Sequence, residues 1–369
     1  MVNTKDFYDY LCSKDMDFFS GVPDSLLKDL CACVKENASK DNNIITANEG
    51  NAVAIACGRY LSTKKIGVVY MQNSGLGNIV NPLLSLIDED VYNVPELFII
   101  GFRGQPGVHD EPQHVKQGKL TLPLLDTLGI KYHILDENYK SEIDTAYEYM
   151  TKTNKPYALV VKKGTFTPYK MKKQDNSYEM TREEALKEIL SKLNDDDFVV
   201  STTGKTSREI FEIREQRHQG HGNDFLTVGS MGHTSSIALG MSLGTDKDVY
   251  CIDGDGSFLM HMGSSAIVAH NEKNNLRYIL INNGAHESVG GQPTVALDID
   301  TKKILEAVGF MKVYEAKTLD ELKENMIKLR AALKSAMIVY THQGSREDLG
   351  RPTKTPIENK EAIMEKLLK

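Results

Sequence analysis

An aspartate between two glycines stands where an apolar stretch gives way to helical periodicity. Asp255 lies in Gly-Asp-Gly-Ser at 254–257, just after the apolar residues 249–252. The next strand candidate, 278–281, ends in Asn-Asn-Gly, with Asn283 at its centre. Because the carboxyl ends of parallel strands meet at one edge of a sheet, these two side chains are expected to lie close together. An isolated Gly-Asp-Gly triplet is more often an ordinary turn, so the paired asparagines make the pattern specific.

The residue types around this aspartate suit a metal-bound phosphate. Gly254 and Gly256 let the backbone approach a phosphate closely, and the following helix N-terminus supplies amide donors. One carboxylate and one amide oxygen, completed to six oxygens by phosphate and water, are typical of Mg²⁺. The sequence therefore predicts a magnesium–diphosphate site.

A second candidate is Glu49, which lies in Ala-Asn-Glu-Gly-Asn-Ala at 47–52. It stands where a strand candidate meets a small-residue helical stretch, and Gln-Asn-Ser-Gly-Leu-Gly-Asn at 72–78 follows the next strand. An isolated glutamate at the start of a helix is more often a residue that interacts favourably with the helix dipole. From the residues alone, a catalytic carboxylate and such a capping residue remain alternatives.

Strand and helix candidates alternate along the chain in a way that would position both sites. The strand candidates are 18–22, 44–47, 66–71, 97–101, 158–161, 198–201, 225–228, 249–253, 278–281, 311–313 and 336–340. The helix candidates are 25–37, 51–61, 78–86, 141–151, 181–193 and 258–274. The alternation is typical of βαβ units and predicts an α/β fold with two mostly parallel sheets flanked by helices. We expect domains at 1–165 and 180–369, joined by a polar linker at 166–179.

The composition excludes several classes of protein. The 369 residues carry a net charge of −7, which argues against a nucleic-acid-binding protein. The five cysteines are irregularly spaced, which favours free thiols in a reducing cytoplasm over a disulfide framework. No apolar run approaches the roughly 20 residues needed to span a membrane. The sequence therefore predicts a cytoplasmic protein with a small-molecule substrate.

Taken together, the motifs resemble those of thiamine-diphosphate-dependent 2-oxo-acid decarboxylases. The Gly-Asp-Gly and Asn-Asn segments match the family's diphosphate motif, and Val-Gly-Ser-Met-Gly-His at 228–233 is similar to its aminopyrimidine-binding segment. The resemblance implies the cofactors thiamine diphosphate and Mg²⁺, with Glu49 as the activating carboxylate. It implies that the metal ligands are Asp255, Asn283 and Ala285. It implies that the other cofactor-binding residues are Gly75, Gly229, Met231, Gly254, Gly256 and Ser257.

Four loop segments, at 21–27, 101–114, 203–209 and 282–294, resemble those of the phosphonopyruvate decarboxylases within this family. The resemblance also accounts for the short linker that stands where longer 2-oxo-acid decarboxylases have a middle domain. The resemblance implies decarboxylation of 3-phosphonopyruvate to phosphonoacetaldehyde and CO₂, as part of phosphonate biosynthesis. His114 and then Asp24 are the candidates for proton transfer. The candidates for substrate binding are Ser25, Arg103, His109 and His286, with the arginine fork suited to phosphonate oxygens.

Several alternatives remain at this stage. One alternative is sulfopyruvate as the substrate, and another is an enzyme that joins two carbonyl compounds, as acetolactate synthases do. A third alternative is a thiamine-diphosphate-binding subunit without catalytic activity. The resemblance also implies a homodimer or a higher oligomer with active sites at the subunit interface.

Overall fold

The chain divides into two compact units in the computed structural model, which describes residues 1–172 and 176–368. The first unit is Met1–Lys173 with Val289–Gln292, and the second is Gln174–Ser288 with Pro293–Lys369. Part of the expected linker, residues 173–175, lies outside the described residues. The expected α/β class with two parallel sheets is confirmed, and the boundaries at 165 and 180 remain a proposal.

The first unit is built on a six-stranded parallel sheet. Its strands are β1 (Phe19–Gly21), β2 (Asn43–Ile45), β3 (Gly67–Gln72), β4 (Glu96–Gly101), β5 (Lys131–Ile134) and β6 (Tyr157–Val161). Their spatial order is β2-β1-β3-β4-β6-β5. The helices are α1 (Thr4–Ser13), α2 (Lys28–Asn37), α3 (Glu49–Thr63), α4 (Leu76–Pro82), α5 (Pro112–Thr127) and α6 (Tyr139–Thr153).

Both faces of this sheet are buried. On β4, Leu97 and Ile99 belong to one apolar cluster, whereas Phe98 and Ile100 belong to another. Alternate side chains of a strand point to opposite faces, so the two clusters lie on opposite sides of the sheet. A continuous apolar run in the sequence is the expected signature of such a strand.

Helix α3 packs closely on β3. Ala52 and Ala56 are fully buried in the same apolar cluster as Met71. A Cβ built at Gly67 would lie 2.8 Å from the Cβ of Ala56, which is closer than real side-chain carbons approach. Strand and helix are therefore in direct contact, and the position of α3 on the sheet is fixed by that contact.

Glu96, the first residue of β4, is fully buried, and both of its carboxylate oxygens lack a hydrogen-bond partner. Burial raises the pKa of Glu96 well above the usual 4.5. The folded state therefore holds a proton that the unfolded chain has released, and stability is lost as the pH rises above about 4.5 towards the raised pKa. We expect Glu96→Gln to remove this loss, which is about 1.4 kcal/mol for each pH unit in that window.

Urea denaturation of both proteins at pH 5 and pH 8 measures this effect. The free energy of unfolding of Glu96→Gln minus that of wild type should be larger at pH 8 than at pH 5, which means that the variant is relatively more stable at pH 8. Glu148→Gln, an exposed change on α6, is the matched control and should give the same difference at both pH values. If the free energy of unfolding changed by the same amount between pH 5 and pH 8 in wild type and in Glu96→Gln, the prediction would be contradicted.

The second unit is built on a six-stranded parallel sheet with short additional strands. Its strands are β7 (Phe198–Ser201), β8 (Asp224–Leu226), β9 (Val249–Gly254), β10 (Leu276–Asn282), β11 (Ala285–His286), β12 (Gln292–Pro293), β13 (Lys312–Ala316) and β14 (Ser335–Tyr340). The main sheet has the order β13-β14-β10-β9-β7-β8. The helices are α7 (Arg182–Ser191), α8 (Lys205–Gln216), α9 (Thr234–Leu243), α10 (Asp255–Met260), α11 (Ser264–Asn271), α12 (Thr301–Ala307), α13 (Leu319–Ala331) and α14 (Pro356–Leu367).

Seven helices were not among the helix candidates: α1, α5, α8, α9, α12, α13 and α14. Three further local features differ from the expectation. Strand β5 was not predicted, because it is a short edge strand with a single aliphatic residue, Ile134, and its residues alternate between exposed and half-buried. The single helix expected at 258–274 is divided into α10 and α11, with His261 between them at φ −135° and ψ 48°. His114, expected in a loop, lies in the first turn of α5, because Pro112 begins that helix.

Among the described residues, no helix combines the length and apolarity required to cross a membrane.

Candidate active site

Glu49 is the first residue of α3 and lies in the first unit. The side chain of Asn48 caps the helix, since its Oδ1 accepts a hydrogen bond of 3.1 Å from the amide of Asn51. The Glu49 side chain is therefore not needed as the cap. Glu49 is still an acidic residue in the first turn and can interact favourably with the helix dipole, so its catalytic role remains a prediction.

The Glu49 carboxylate is buried beside a neutral partner. Only 4% of the residue is exposed, and Asn78 Nδ2 donates a hydrogen bond of 2.7 Å to its Oε2. Burial raises the pKa of Glu49, and the hydrogen bond from Asn78 opposes that rise. A Cβ at Gly75 would lie 2.5 Å from Oε1, so the glycine is required for this packing. The structure thus brings Gly75 and Glu49 together.

Asp24 is fully buried at another position of the first unit. Its carboxylate accepts hydrogen bonds from Gln72 Nε2 at 2.6 Å and from the Leu26 amide at 3.0 Å. Burial raises the pKa of Asp24, against the lowering effect of these donors. A Cβ at Gly101 would lie 2.0 Å from Oδ2, which explains why β4 ends in glycine. This aspartate retains its proton more readily than an exposed one.

Arg103 and Ser25, both expected to bind substrate, are in contact. Arg103 Nη1 donates to Ser25 Oγ at 2.7 Å, and its Nε and Nη2 donate to the two oxygens of Asp110 at 2.8 Å and 2.5 Å. Burial raises the pKa of Asp110, but the Arg103 hydrogen bonds and the Gly104 amide outweigh it and bring the pKa to about 2. The guanidinium is thus held in place by an ionised carboxylate.

Two histidines lie close in sequence to Asp110, and their environments differ. His109 is exposed, whereas His114 is 8% exposed and its buried Nδ1 has no hydrogen-bond partner. Burial and the neighbouring Arg103 lower the pKa of His114 to about 4. At neutral pH this imidazole is therefore uncharged.

Asp255 lies in the second unit, where it begins α10 directly after β9. Its carboxylate is buried, and Thr294 Oγ1 donates a hydrogen bond of 2.6 Å to Oδ2. Burial raises the pKa of Asp255 to about 6, against the lowering effect of Thr294 and of the Gly256 and Gly284 amides. A buried carboxylate with only neutral partners is favourable for a cation, which removes the cost of burying its charge.

Asn283 and Ala285 follow β10 at the same edge of the sheet. Asn283 Oδ1 accepts a hydrogen bond of 3.0 Å from the Ala285 amide. The backbone turns between them at Gly284, whose φ of +71° favours glycine. Asn176 Nδ2 donates to the Asn283 carbonyl and to the Thr341 carbonyl, both at 3.0 Å. These bonds hold the turn against the end of β14.

One cleft is lined by most of the second-unit candidates. Its lining includes Met231, Gly254, Gly256, Ser257, His286 and both polar ligand candidates, Asp255 and Asn283. Gly229, also expected to bind the cofactor, is half-buried in the loop after β8. Ser257 Oγ accepts a hydrogen bond of 3.1 Å from the Gly232 amide, which links α10 to that loop.

His286 lies against the backbone of Gly256. A Cβ at Gly256 would lie 2.6 Å from the His286 ring atoms Cε1 and Nδ1. Burial lowers the pKa of His286 to about 4. An uncharged imidazole in this position offers hydrogen bonds but no positive charge at neutral pH.

An ion-pair network that the sequence analysis missed supports the same loop. Arg182 donates to both oxygens of Glu209, from Nε at 2.7 Å and from Nη2 at 2.8 Å, and its Nη1 donates to Glu287. Glu287 also accepts a hydrogen bond from the Gly344 amide. Because Glu287 is committed to these contacts, its role is to hold the loop that follows His286. A lone arginine at a helix start gave no sequence signal for this network.

We expect Arg182→Met to destabilise the second unit by roughly 3 kcal/mol, because it leaves two carboxylates buried without their cation. The Arg182 and Glu209 side chains are 6% and 1% exposed. Lys187→Met is the control, since Lys187 forms an i,i+4 pair with Glu183 while 44% of its side chain is exposed and should contribute less than about 1 kcal/mol. Chemical denaturation measures both changes, and equal losses of stability would contradict the prediction.

Two family models match the chain. The family described as thiamine pyrophosphate enzyme, N-terminal TPP binding domain, matches residues 1–125. The C-terminal TPP binding domain of the same enzymes matches residues 202–345. Glu49 falls in the first region and Asp255 in the second. The chain belongs to the thiamine pyrophosphate enzyme family, whose cofactor is thiamine diphosphate.

Similar proteins narrow the class further. The chain is 31% identical to phosphonopyruvate decarboxylase from Streptomyces viridochromogenes, over 97% of this chain and 93% of that protein. It is also 31% identical to phosphonopyruvate decarboxylase from Streptomyces hygroscopicus, over 97% of this chain and 92% of that protein. Sulfopyruvate decarboxylase from Methanosarcina acetivorans is 28% identical over 86% of this chain and 85% of that protein. The resemblance inferred from the motifs is thus confirmed over nearly the whole chain.

Proposed function

We propose that this chain is a carboxy-lyase that decarboxylates 3-phosphonopyruvate to phosphonoacetaldehyde and CO₂, with thiamine diphosphate and Mg²⁺. The observation that carries the proposal is the similarity to two phosphonopyruvate decarboxylases over 97% of the chain. We further propose that it acts in the cytoplasm, in phosphonate biosynthesis. Five free cysteines, four of them buried, support a reducing compartment.

The donor atoms of the second unit fit a magnesium-bound diphosphate. Asp255, Asn283 and the Ala285 carbonyl would supply oxygen ligands, which Mg²⁺ prefers. Gly254, Gly256 and Ser257 would bind the diphosphate through the N-terminus of α10 and the adjacent backbone. Gly229 and Met231 would contact the pyrimidine ring, as the resemblance implies.

The first unit would supply the acid–base chemistry. When bound, thiamine diphosphate would provide the carbon nucleophile and accept the electron pair that stays behind when CO₂ departs. Glu49 would hold and transfer a proton at the pyrimidine nitrogen. Its buried setting, with Asn78 as a neutral partner, suits this task because the raised pKa brings the carboxylate closer to the operating pH.

The substrate carbon that loses CO₂ must take up one proton to become the aldehyde. Asp24 and His114 are the proposed groups for this transfer. Burial raises the pKa of Asp24 and lowers that of His114 to about 4. Asp24 therefore retains its proton to a higher pH than an ordinary aspartate, whereas His114 is uncharged at neutral pH and is better suited to accept a proton or to orient the substrate.

The phosphonate group would be bound by Arg103 and Ser25, with His109 and His286 as further contacts. Arg103 is fixed by Asp110 but uses only three of its five N–H groups in the hydrogen bonds to Asp110 and Ser25. The two remaining N–H groups are available for phosphonate oxygens.

Purified protein with thiamine diphosphate and Mg²⁺ tests the proposal when phosphonopyruvate, sulfopyruvate and pyruvate are supplied separately. CO₂ and aldehyde are both measured. We expect the highest kcat/KM with phosphonopyruvate, and a greater loss of kcat/KM for that substrate than for pyruvate in Arg103→Gln. Preference for sulfopyruvate would favour the second candidate, which the similarity to the Methanosarcina protein supports.

Two other outcomes would reject a decarboxylase that releases an aldehyde. CO₂ release with a coupled carbon–carbon product, instead of free aldehyde, would indicate carboligation. Cofactor binding without CO₂ release from any of the three substrates would indicate a non-catalytic subunit.

We also propose a homodimer or a higher oligomer with active sites at the subunit interface. Mixing unfolded Glu49→Gln and Asp255→Asn chains and refolding them together tests this directly. If each site takes one residue from each chain, mixed dimers regain one intact site, and about a quarter of wild-type activity is expected. Activity no higher than that of either variant alone, with mixed dimers confirmed by mass, would reject shared sites.

A further inference from the structure

Three potential metal ligands converge at the outer edge of the first sheet. His133 lies on β5, Asp136 in the loop that follows, and Glu142 in the first turn of α6. One ligand atom from each residue lies within 4.8 Å of the others. His133 Nε2 is 2.9 Å from Glu142 Oε1. The three side chains therefore come from three consecutive elements and meet at the carboxyl end of an edge strand.

The buried carboxylate of this group has a free oxygen. Glu142 is 7% exposed, and its Oε2 is buried without a hydrogen-bond partner. Burial raises the pKa of Glu142, and the neighbouring Asp136 carboxylate adds to the rise. Within residues 1–172 and 176–368, no lysine or arginine pairs with either acid. The unfavourable free energy of placing two carboxylates side by side is thus only partly offset by His133.

We propose that His133, Asp136 and Glu142 bind one divalent transition-metal ion of the zinc class. An imidazole nitrogen with two carboxylate oxygens is a ligand set that Zn²⁺ and its neighbours accept, whereas Mg²⁺ prefers oxygen ligands alone. About half of the His133 side chain is exposed, so water can complete the coordination. The ion joins β5 to α6, and the site is separate from the proposed magnesium site because β5 and α6 belong to the first unit.

Metal titration of the untagged, full-length protein tests this inference. The protein is saturated with Mg²⁺ and thiamine diphosphate, dialysed against micromolar Zn²⁺, and its zinc content is measured. His133→Gln and Glu142→Gln each remove one ligand. Glu137→Gln is the control, because it makes the same charge change as Glu142→Gln in the loop that contains Asp136. We expect one zinc per chain in wild type and Glu137→Gln, with at least tenfold weaker binding in the two ligand variants.

Two further measurements separate a built site from surface binding. Co²⁺ bound to wild type should give visible absorption bands of nitrogen and oxygen coordination that are lost in His133→Gln, an exposed change that leaves the fold intact. Zn²⁺ should slow hydrogen exchange in β5 of wild type but not of the ligand variants. Equal zinc content in all four proteins, or no zinc in wild type, would overturn the inference.

Discussion

Replacing Glu49 with glutamine should lower kcat by about 10³-fold while thiamine diphosphate still binds within a few-fold of wild-type affinity. The amide keeps the shape of the side chain and its contact with Asn78, so the packing against Gly75 is preserved. It removes the carboxylate that would hold and transfer the proton. The expected effect is thus on turnover and not on cofactor binding.

Steady-state kinetics and calorimetric titration of the cofactor, both at saturating Mg²⁺, measure the two effects separately. Glu148→Gln makes the same chemical change on the exposed face of α6 and should leave both quantities unchanged. A second variant, Asn78→Ala, removes the hydrogen bond to Glu49 and should lower kcat by less than Glu49→Gln does. A near-normal kcat in Glu49→Gln would exclude this residue from the reaction.

Replacing Asp255 with asparagine should weaken the binding of Mg²⁺ and thiamine diphosphate by at least about 100-fold, because a charged oxygen ligand is lost. The dependence of thiamine diphosphate affinity on Mg²⁺ concentration should change in Asp255→Asn, whereas it should not change in Glu49→Gln. Thr294→Val removes only the hydrogen bond to Oδ2 and should cost about 10-fold, as expected of a residue that orients a ligand.

Titration of the cofactor at several Mg²⁺ concentrations measures this effect. Asp298→Asn, an exposed change near Thr294 in sequence, is the matched control and should bind like wild type. Circular dichroism of each variant checks that the fold is retained. Unchanged affinity in Asp255→Asn would exclude the metal assignment.

The sequence was most informative where local pattern and chemistry coincide. The Gly-Asp-Gly and Asn-Asn segments follow β9 and β10, which are neighbours in the sheet and place Asp255 and Asn283 in one cleft. Parallel strands buried on both faces are continuous apolar runs, so most were recognised. Strand β5 was not, because an edge strand exposes polar residues.

The contacts that tune the site were harder to infer. Asn78 and Thr294 hydrogen-bond the two buried carboxylates from 29 and 39 residues away in sequence. Such pairings depend on the tertiary structure, and a single sequence contains no periodicity that reports them. The same holds for the ion pair between Arg182 and Glu209, whose residues look like ordinary surface charges.

The close contact between α3 and β3 has a consequence for altering this enzyme. Glu49 begins the helix that contacts Gly67 through Ala56, so a larger side chain at Gly67 would collide with that helix, and we expect it to shift Glu49 as well. Mutant libraries designed to find new substrates should therefore leave the contact between α3 and β3 unchanged. Diversity is better placed at 105–109, between Gly104 and Asp110, where residues 106–109 are exposed and a longer side chain would extend into solvent.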